Sequence, residues 1–108
     1  MSEVIYKICL RSEWEAAEAA GVYRGSADDQ RDGFIHLSRK EQVDGTLARH
    51  FVGKKDLVLV SVEADVLGDA LKYEPSRGGE LFPHLYGELP TSIVLGAVPI
   101  DELRSPAG

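Results

Sequence analysis

Gly33-Phe34-Ile35-His36-Leu37-Ser38-Arg39-Lys40-Glu41 is the stretch on which the fold turns. Gly33 to Leu37 is a short apolar run, expected to be a strand. Ser38 and Glu41 then carry the Ser-x-x-Glu spacing of a capping box. In that motif the serine hydroxyl takes an N–H of the first helical turn and the glutamate takes the N–H of the cap. A helix from Arg39 to about Phe51 is expected, with Val43, Leu47 and Phe51 as its apolar stripe and Gly53 as its stop. A strand feeding directly into a helix sets His36 beside a helix N-terminus. There the unpaired N–H groups and the positive end of the macrodipole favour a phosphate or carboxylate.

Upstream, Val4 to Leu10 reads as a first strand, and Ser12 with Glu15 as a capping box for an Ala-rich helix ending at Gly21. Trp14 and Ala17 share the face of that helix expected to meet the sheet. Val22 to Asp32, with Gly25, Ser26, Asp28, Asp29 and Asp32, is expected to be a polar surface loop.

Downstream, Leu57 to Val62 is a buried strand, Ala64 to Ala70 a helical turn, Leu71 to Glu74 a short strand and Pro75 to Gly79 a turn. Leu81 to Gly87 is expected to be irregular, because Pro83 removes a backbone donor. Ile93 to Val98 is a final strand, and residues 104–108 a frayed polar tail. Helices come early and strands late, which favours an α+β domain over a parallel doubly wound sheet.

The bulk composition narrows the class. At 108 residues, with 44% hydrophobic and 28% charged, the chain has the make-up of one folded domain. Twelve Lys and Arg against eighteen Asp and Glu give a net charge of −6. A phosphate-tracking nucleic-acid binder usually presents a basic face, so nucleic acid is not the expected partner. No apolar stretch approaches the ~18 residues that span a membrane, and no basic-then-apolar leader opens the chain. The lone Cys9 cannot form an internal disulfide, so a reducing, cytoplasmic setting is expected. Its place in an apolar run points to packing.

Three histidines could carry chemistry. His36, at a strand end, could bond a ribose hydroxyl or act as a general acid or base, with Ser38 capping the helix or touching a ligand; alternatively His36 only ties down the strand. His84 sits in Phe82-Pro83-His84-Leu85-Tyr86-Gly87, an apolar loop with polar handles, as small-molecule pockets have. The same loop could simply pack over the core edge. His50 follows Gln42 and Thr46 at helical spacing, a polar stripe that faces either a pocket or solvent. No His-x-x-x-His or Cys-x-x-Cys spacing exists, so no metal is expected.

Ile5-Tyr6-Lys7-Ile8, Trp14, Gly21-Val22-Tyr23, the Gly33–Ser38 run, Gln42, Thr46 and Phe82-Pro83-His84-Leu85-Tyr86-Gly87 stand in a recognisable order. Over about residues 4–99 the chain resembles the bacterial domain-of-unknown-function family 952. That family is similar to the ADP-ribosyltransferase superfamily, particularly its RNA 2′-phosphotransferase branch. There, an element near a Tyr-His-Gly-Thr pattern precedes a strand ending in His-Leu-Ser. Ile5 to Ile8 stands at the first place, with Lys7 where that branch has a His or Arg, and His36-Leu37-Ser38 matches the second.

The resemblance implies an ADP-ribosyltransferase-like fold, a split mixed β-sheet with two main helices, and NAD as the substrate in its cleft. By that resemblance His36 would contact the nicotinamide-side ribose or a phosphate, helped by Ser38; His36 and His84 are the expected catalytic residues, with Glu74 and Glu80 as candidates for a catalytic glutamate. Tyr6, Lys7, Ser38, Gln42, Thr46 and Tyr86 are then the expected ligand contacts. Three functions are consistent with these residues: an NAD-cleaving or ADP-ribosyl-transferring enzyme, a non-catalytic nucleotide-binding domain, and a structural or interaction domain. The first two require His36 and His84 to meet in one cleft.

Overall fold

Residue alternation builds the main sheet in our computed structural model, which describes residues 3–100. Strand β1 (Val4–Leu10) pairs antiparallel with β5 (Leu57–Glu63) along its whole length, from Val4 opposite Glu63 to Leu10 opposite Leu57. Side chains alternate across a strand, so Ile5, Lys7 and Cys9 share one face with Val62, Val60 and Val58. Tyr6, Ile8 and Leu10 share the other with Ser61, Leu59 and Leu57. Strand β4 (Ser38–Arg39) flanks β1, and β9 (Gly96–Pro99) flanks β5. Two smaller sheets stand beside it among the described residues. One joins β2 (Val22–Tyr23) to β8 (Leu89–Pro90). The other has the order β3 (Ile35–His36), β7 (Leu81–Leu85), β6 (Leu71–Pro75).

The fold is α+β, as expected, and its sheet is split. Every pairing among the described residues is antiparallel, which corrects the expected mixed sheet. Each face of the main sheet has its own core. Ile5, Cys9, Val60 and Val62 pack with Trp14, Ile35, Leu85 and Leu89 on one side. Ile8 and Leu57 pack with Val43, Leu47 and Phe51 on the other. Side chains fully buried in this way, such as Ile5, Val60 and Leu89, contribute roughly 1.5–3 kcal/mol each.

Among the described residues the α-helices are α1 (Arg11–Ala20), the short α2 (Ala27–Asp32) and α3 (Val43–His50). Helix α1 stops at Gly21, whose φ of 85° is the left-handed cap that glycine adopts without strain. Its start differs from expectation. Leu10, not Ser12, is the N-cap. The chain turns straight from β1 into the helix, and the Arg11 N–H is taken by the Asp56 carbonyl at 2.7 Å instead of by a serine.

Ser38 is not a helix cap either. Its extended backbone is drawn into pairing with Tyr6 of β1. A 3-10 turn (Lys40–Gln42) follows, closed by the Arg39 N–H donating to Gln42 Oε1 at 2.9 Å, and α3 begins only at Val43. It ends at His50 with Phe51 as its cap, two residues before Gly53.

Two further expectations are corrected. Val22–Asp32 is not a loop: it holds β2 and α2. Leu81–Leu85 is not irregular: it is the central strand of its sheet. Pro83 is tolerated there because a strand residue's N and O point to the same neighbour. The Pro83 carbonyl accepts from Leu37 N at 3.0 Å, just past the end of β3, where no ladder donor is required. The final strand starts at Gly96, and Thr91–Ile93 is a 3-10 turn. The expected frayed tail, 104–108, lies outside the described residues.

Candidate functional site

Lys7 creates the site's first constraint. It stands on an apolar face of β1, 6% exposed, where a lone ammonium would be costly. Asp29 of α2, 2% exposed, meets it with Oδ2 at 2.7 Å, and Lys7 Nζ also donates to the His36 carbonyl at 3.1 Å. The Asp29 carboxylate is saturated. Its Oδ2 accepts from Ser26 N at 2.9 Å, closing a capping box. Its Oδ1 accepts from His36 N at 3.1 Å and from His36 Nδ1 at 2.6 Å. Burial would raise the Asp29 carboxyl, but the His36 hydrogen bond and the Lys7 charge outweigh it and hold the group well below the usual carboxylate range.

Gly25 makes room for this. A Cβ there would lie 2.7 Å from Asp29 Cβ, and its φ of 102° suits glycine alone.

His36 is thereby bound on both ring nitrogens, since Nε2 lies 3.0 Å from Asp32 Oδ2. A neutral imidazole has one N–H, so only the imidazolium satisfies both carboxylates. Hydrogen bonding from Arg31 lowers the Asp32 carboxyl.

His84 stands directly across the ladder from His36. It is 6% exposed, and Nδ1 lies 2.7 Å from Glu74 Oε1. That same oxygen accepts from Tyr86 Oη at 2.7 Å. The bonds from Tyr86 and then His84 hold Glu74 below its ordinary value. Phe34 fills the space between the two imidazoles: its ring is stacked on His84 at 4.1 Å and tilted to His36 at 4.5 Å and Tyr86 at 5.2 Å. The imidazole centroids are 5.6 Å apart.

Both histidines line one cavity of about 440 Å³. Lys7, Asp29, Ser38 and Thr46 also line it, and His50, Arg31 and Lys54 belong to its wall. Ser38 and Thr46 bond each other, Oγ to Oγ1, at 2.9 Å.

The other sequence-derived candidates stand elsewhere. Tyr6 is on the opposite face of β1 from Lys7. Gln42 is buried and donates to the Leu81 carbonyl at 2.9 Å and to Glu80 at 3.4 Å, tying the 3-10 turn to β7. Glu80 also accepts from Ser76 N through its carbonyl at 2.8 Å, and it does not line the cavity. Glu74 and Tyr86 lie behind His84 and do not line the cavity. Asp28, Asp29 and Asp32 were not among the sequence candidates. Their one signal was Ser26-x-x-Asp29, a capping box built with Asp. A separate depression of about 540 Å³, lined by Glu3, Arg39, Asp65 and Tyr73 among others, contains neither histidine.

The comparisons agree with this architecture. The family model described as "Protein of unknown function (DUF952)" matches residues 8–97. The crystal structure of protein CC0527 from Caulobacter crescentus is similar at 53% identity, covering 89% of this chain and 84% of that chain, with a TM-score of 0.87. The solution NMR structure of CC0527 is similar at 53% identity, covering 89% and 83%, with a TM-score of 0.80. A comparison with curated proteins finds no match.

Proposed function

The chain belongs to the DUF952 family of proteins of unknown function, and from its cleft we propose that it binds a nucleotide-like small molecule, with NAD as the ligand and transfer at the nicotinamide–ribose bond as the chemistry. One observation carries this reading: His36 and His84, far apart in sequence, meet across a strand ladder on the wall of one cavity of about 440 Å³. That volume is within the range of small-molecule sites. A domain in which both histidines were only packing has no need of a shared cavity.

The cleft's chemistry supports the ligand class. Arg31 and Lys54 offer cations for phosphates, while Asp28 and Asp32 put negative charge on the α2 wall. In the proposed reaction the C–N bond to nicotinamide breaks and its electron pair returns to the ring nitrogen. Positive charge then develops at the anomeric carbon, where a nearby carboxylate stabilises it. An acceptor oxygen bonds that carbon and gives up its proton.

A second reading, a non-catalytic nucleotide-binding domain, is favoured by a different observation. Each carboxylate touching the two histidines already has another partner: Asp29 has Lys7, Asp32 has Arg31, and Glu74 has Tyr86.

Calorimetric titration with NAD, ADP-ribose and nicotinamide, beside chromatographic detection of nicotinamide release, separates the readings. Binding of NAD with release supports the enzyme. Binding without release supports the binding domain. No heat from any of the three at millimolar concentration overturns both.

A further inference from the structure

We propose that His84 is the cleft's general base and that Glu74 is its positioning residue, not a catalytic carboxylate. The proposal rests on the nucleotide-transfer reading for its substrate and on this structure alone for its geometry.

The two histidines are wired differently. His36 meets a carboxylate at each ring nitrogen, 2.6 Å at Nδ1 and 3.0 Å at Nε2, so neither nitrogen is left open to a ligand. His84 meets a carboxylate at one nitrogen alone, Nδ1 to Glu74 Oε1 at 2.7 Å. An ionised carboxylate accepts and never donates, so the Glu74 contact puts the His84 proton on Nδ1. Nε2 then carries the lone pair. It has no hydrogen-bond partner among the described residues, and His84 is part of the cavity wall.

Two contacts hold the ring in place, and a third steadies one of them. Phe34 stacks on its face at 4.1 Å, Glu74 fixes one edge, and Tyr86 Oη fixes Glu74 in turn. A carboxylate that sets the tautomer and angle of an imidazole is the arrangement that makes histidine an efficient proton acceptor. Glu74 lies behind the ring, outside the cavity, so it can act only through His84.

In the transfer step the acceptor, a water or an alcohol, loses its O–H proton to His84 Nε2. Its oxygen bonds the anomeric carbon as the C–N electron pair leaves on nicotinamide. The imidazolium then releases the proton to solvent, and His84 returns to its starting state.

The deciding experiment reads the ring nitrogens directly. Long-range proton–nitrogen correlation spectra of the isotopically labelled protein, at mildly alkaline pH, report which nitrogen of each histidine is protonated. The expected result is Nδ1–H with a bare Nε2 for His84. In E74A, with the amide spectrum otherwise intact, the proton should move in whole or part to Nε2, while Y86F should leave it on Nδ1. A wild-type His84 protonated at Nε2, or an E74A tautomer identical to wild type, overturns the proposal.

A parallel titration with ADP-ribose keeps the two readings distinct. If the tautomer is as expected but no amide shifts, the ligand reading fails while the Glu74–His84 arrangement stands. If nicotinamide is released from NAD, H84Q should lower the rate by about 10²- to 10⁴-fold, the usual contribution of a general base. An unchanged rate would overturn the catalytic role.

Discussion

At the scale of single residues, the buried pair of Lys7 and Asp29 ties the main sheet to the cleft wall. Removing one partner of a buried pair leaves an uncompensated charge, so Asp29→Asn should cost about 3–5 kcal/mol in urea denaturation. The pH dependence has a definite sign. The folded Asp29 carboxyl is held down, so its contribution is present above the ordinary carboxylate value of about 3.9 and fades as pH falls below it. The stability gap between wild type and Asp29→Asn should therefore narrow in acid. A gap that stays constant down to pH values below about 3.9 would contradict the assignment. Tyr23 offers the opposite case. Its hydroxyl is buried, and among the described residues it meets only the Cys9 thiol, a weak hydrogen-bond partner. Tyr23→Phe removes that poorly satisfied group, so it should be neutral or stabilise the fold by about 1 kcal/mol. A clear loss of stability would show that the hydroxyl has a stronger partner. At this scale the histidines were legible from local sequence, since each sits in a short apolar motif. Asp29 was not, because its role exists only once β1, α2 and β3 meet.

At the scale of elements, long-range pairing overrode local signals wherever the two differed. Ser38-x-x-Glu41 has the capping-box spacing, yet Ser38 pairs with Tyr6 and the helix starts five residues later. Ser12 lost its cap role because the helix had already begun at Arg11. Pro83 looked like a strand breaker, but a neighbour that ends beside it makes the missing donor harmless. Helix α2 gives little local signal because Ala27 and five polar residues carry no apolar period. The long strands β1 and β5 were legible, since their alternation and apolar density do not depend on context. Helix α2 also supplies a test. Gly25→Ala would press a methyl onto Asp29 Cβ at a positive φ, a strain of order 1–3 kcal/mol. It should loosen α2 and raise amide exchange at Asp29 and His36. Unchanged exchange there would mean that the close approach is easily relieved.

At the scale of the whole molecule, both cores are built on opposite faces of the same two strands, β1 and β5, so the domain should unfold as one unit. Cys9 reports on this. It is buried in the larger core, and burial pushes its thiol up to about 12. Alkylation of Cys9 should track global unfolding measured by circular dichroism. Labelling that outruns the loss of dichroism would reveal a separate opening of that core. The same two-sided construction gives the cleft its rigidity: Lys7 from the main sheet and the histidine pair from the third sheet are joined through Asp29. The family and the α+β class were legible from motif order, while the chemistry was not, because it depends on ring nitrogens and their partners. The central claim is that this cleft takes a nucleotide-like ligand. A two-dimensional amide NMR titration with ADP-ribose tests it most directly. Shifts are expected at Gly33–Ser38 and His84–Gly87, with smaller ones at His50 and Lys54. No shifts at millimolar ligand, or shifts confined to the Arg39–Tyr73 depression, would contradict it.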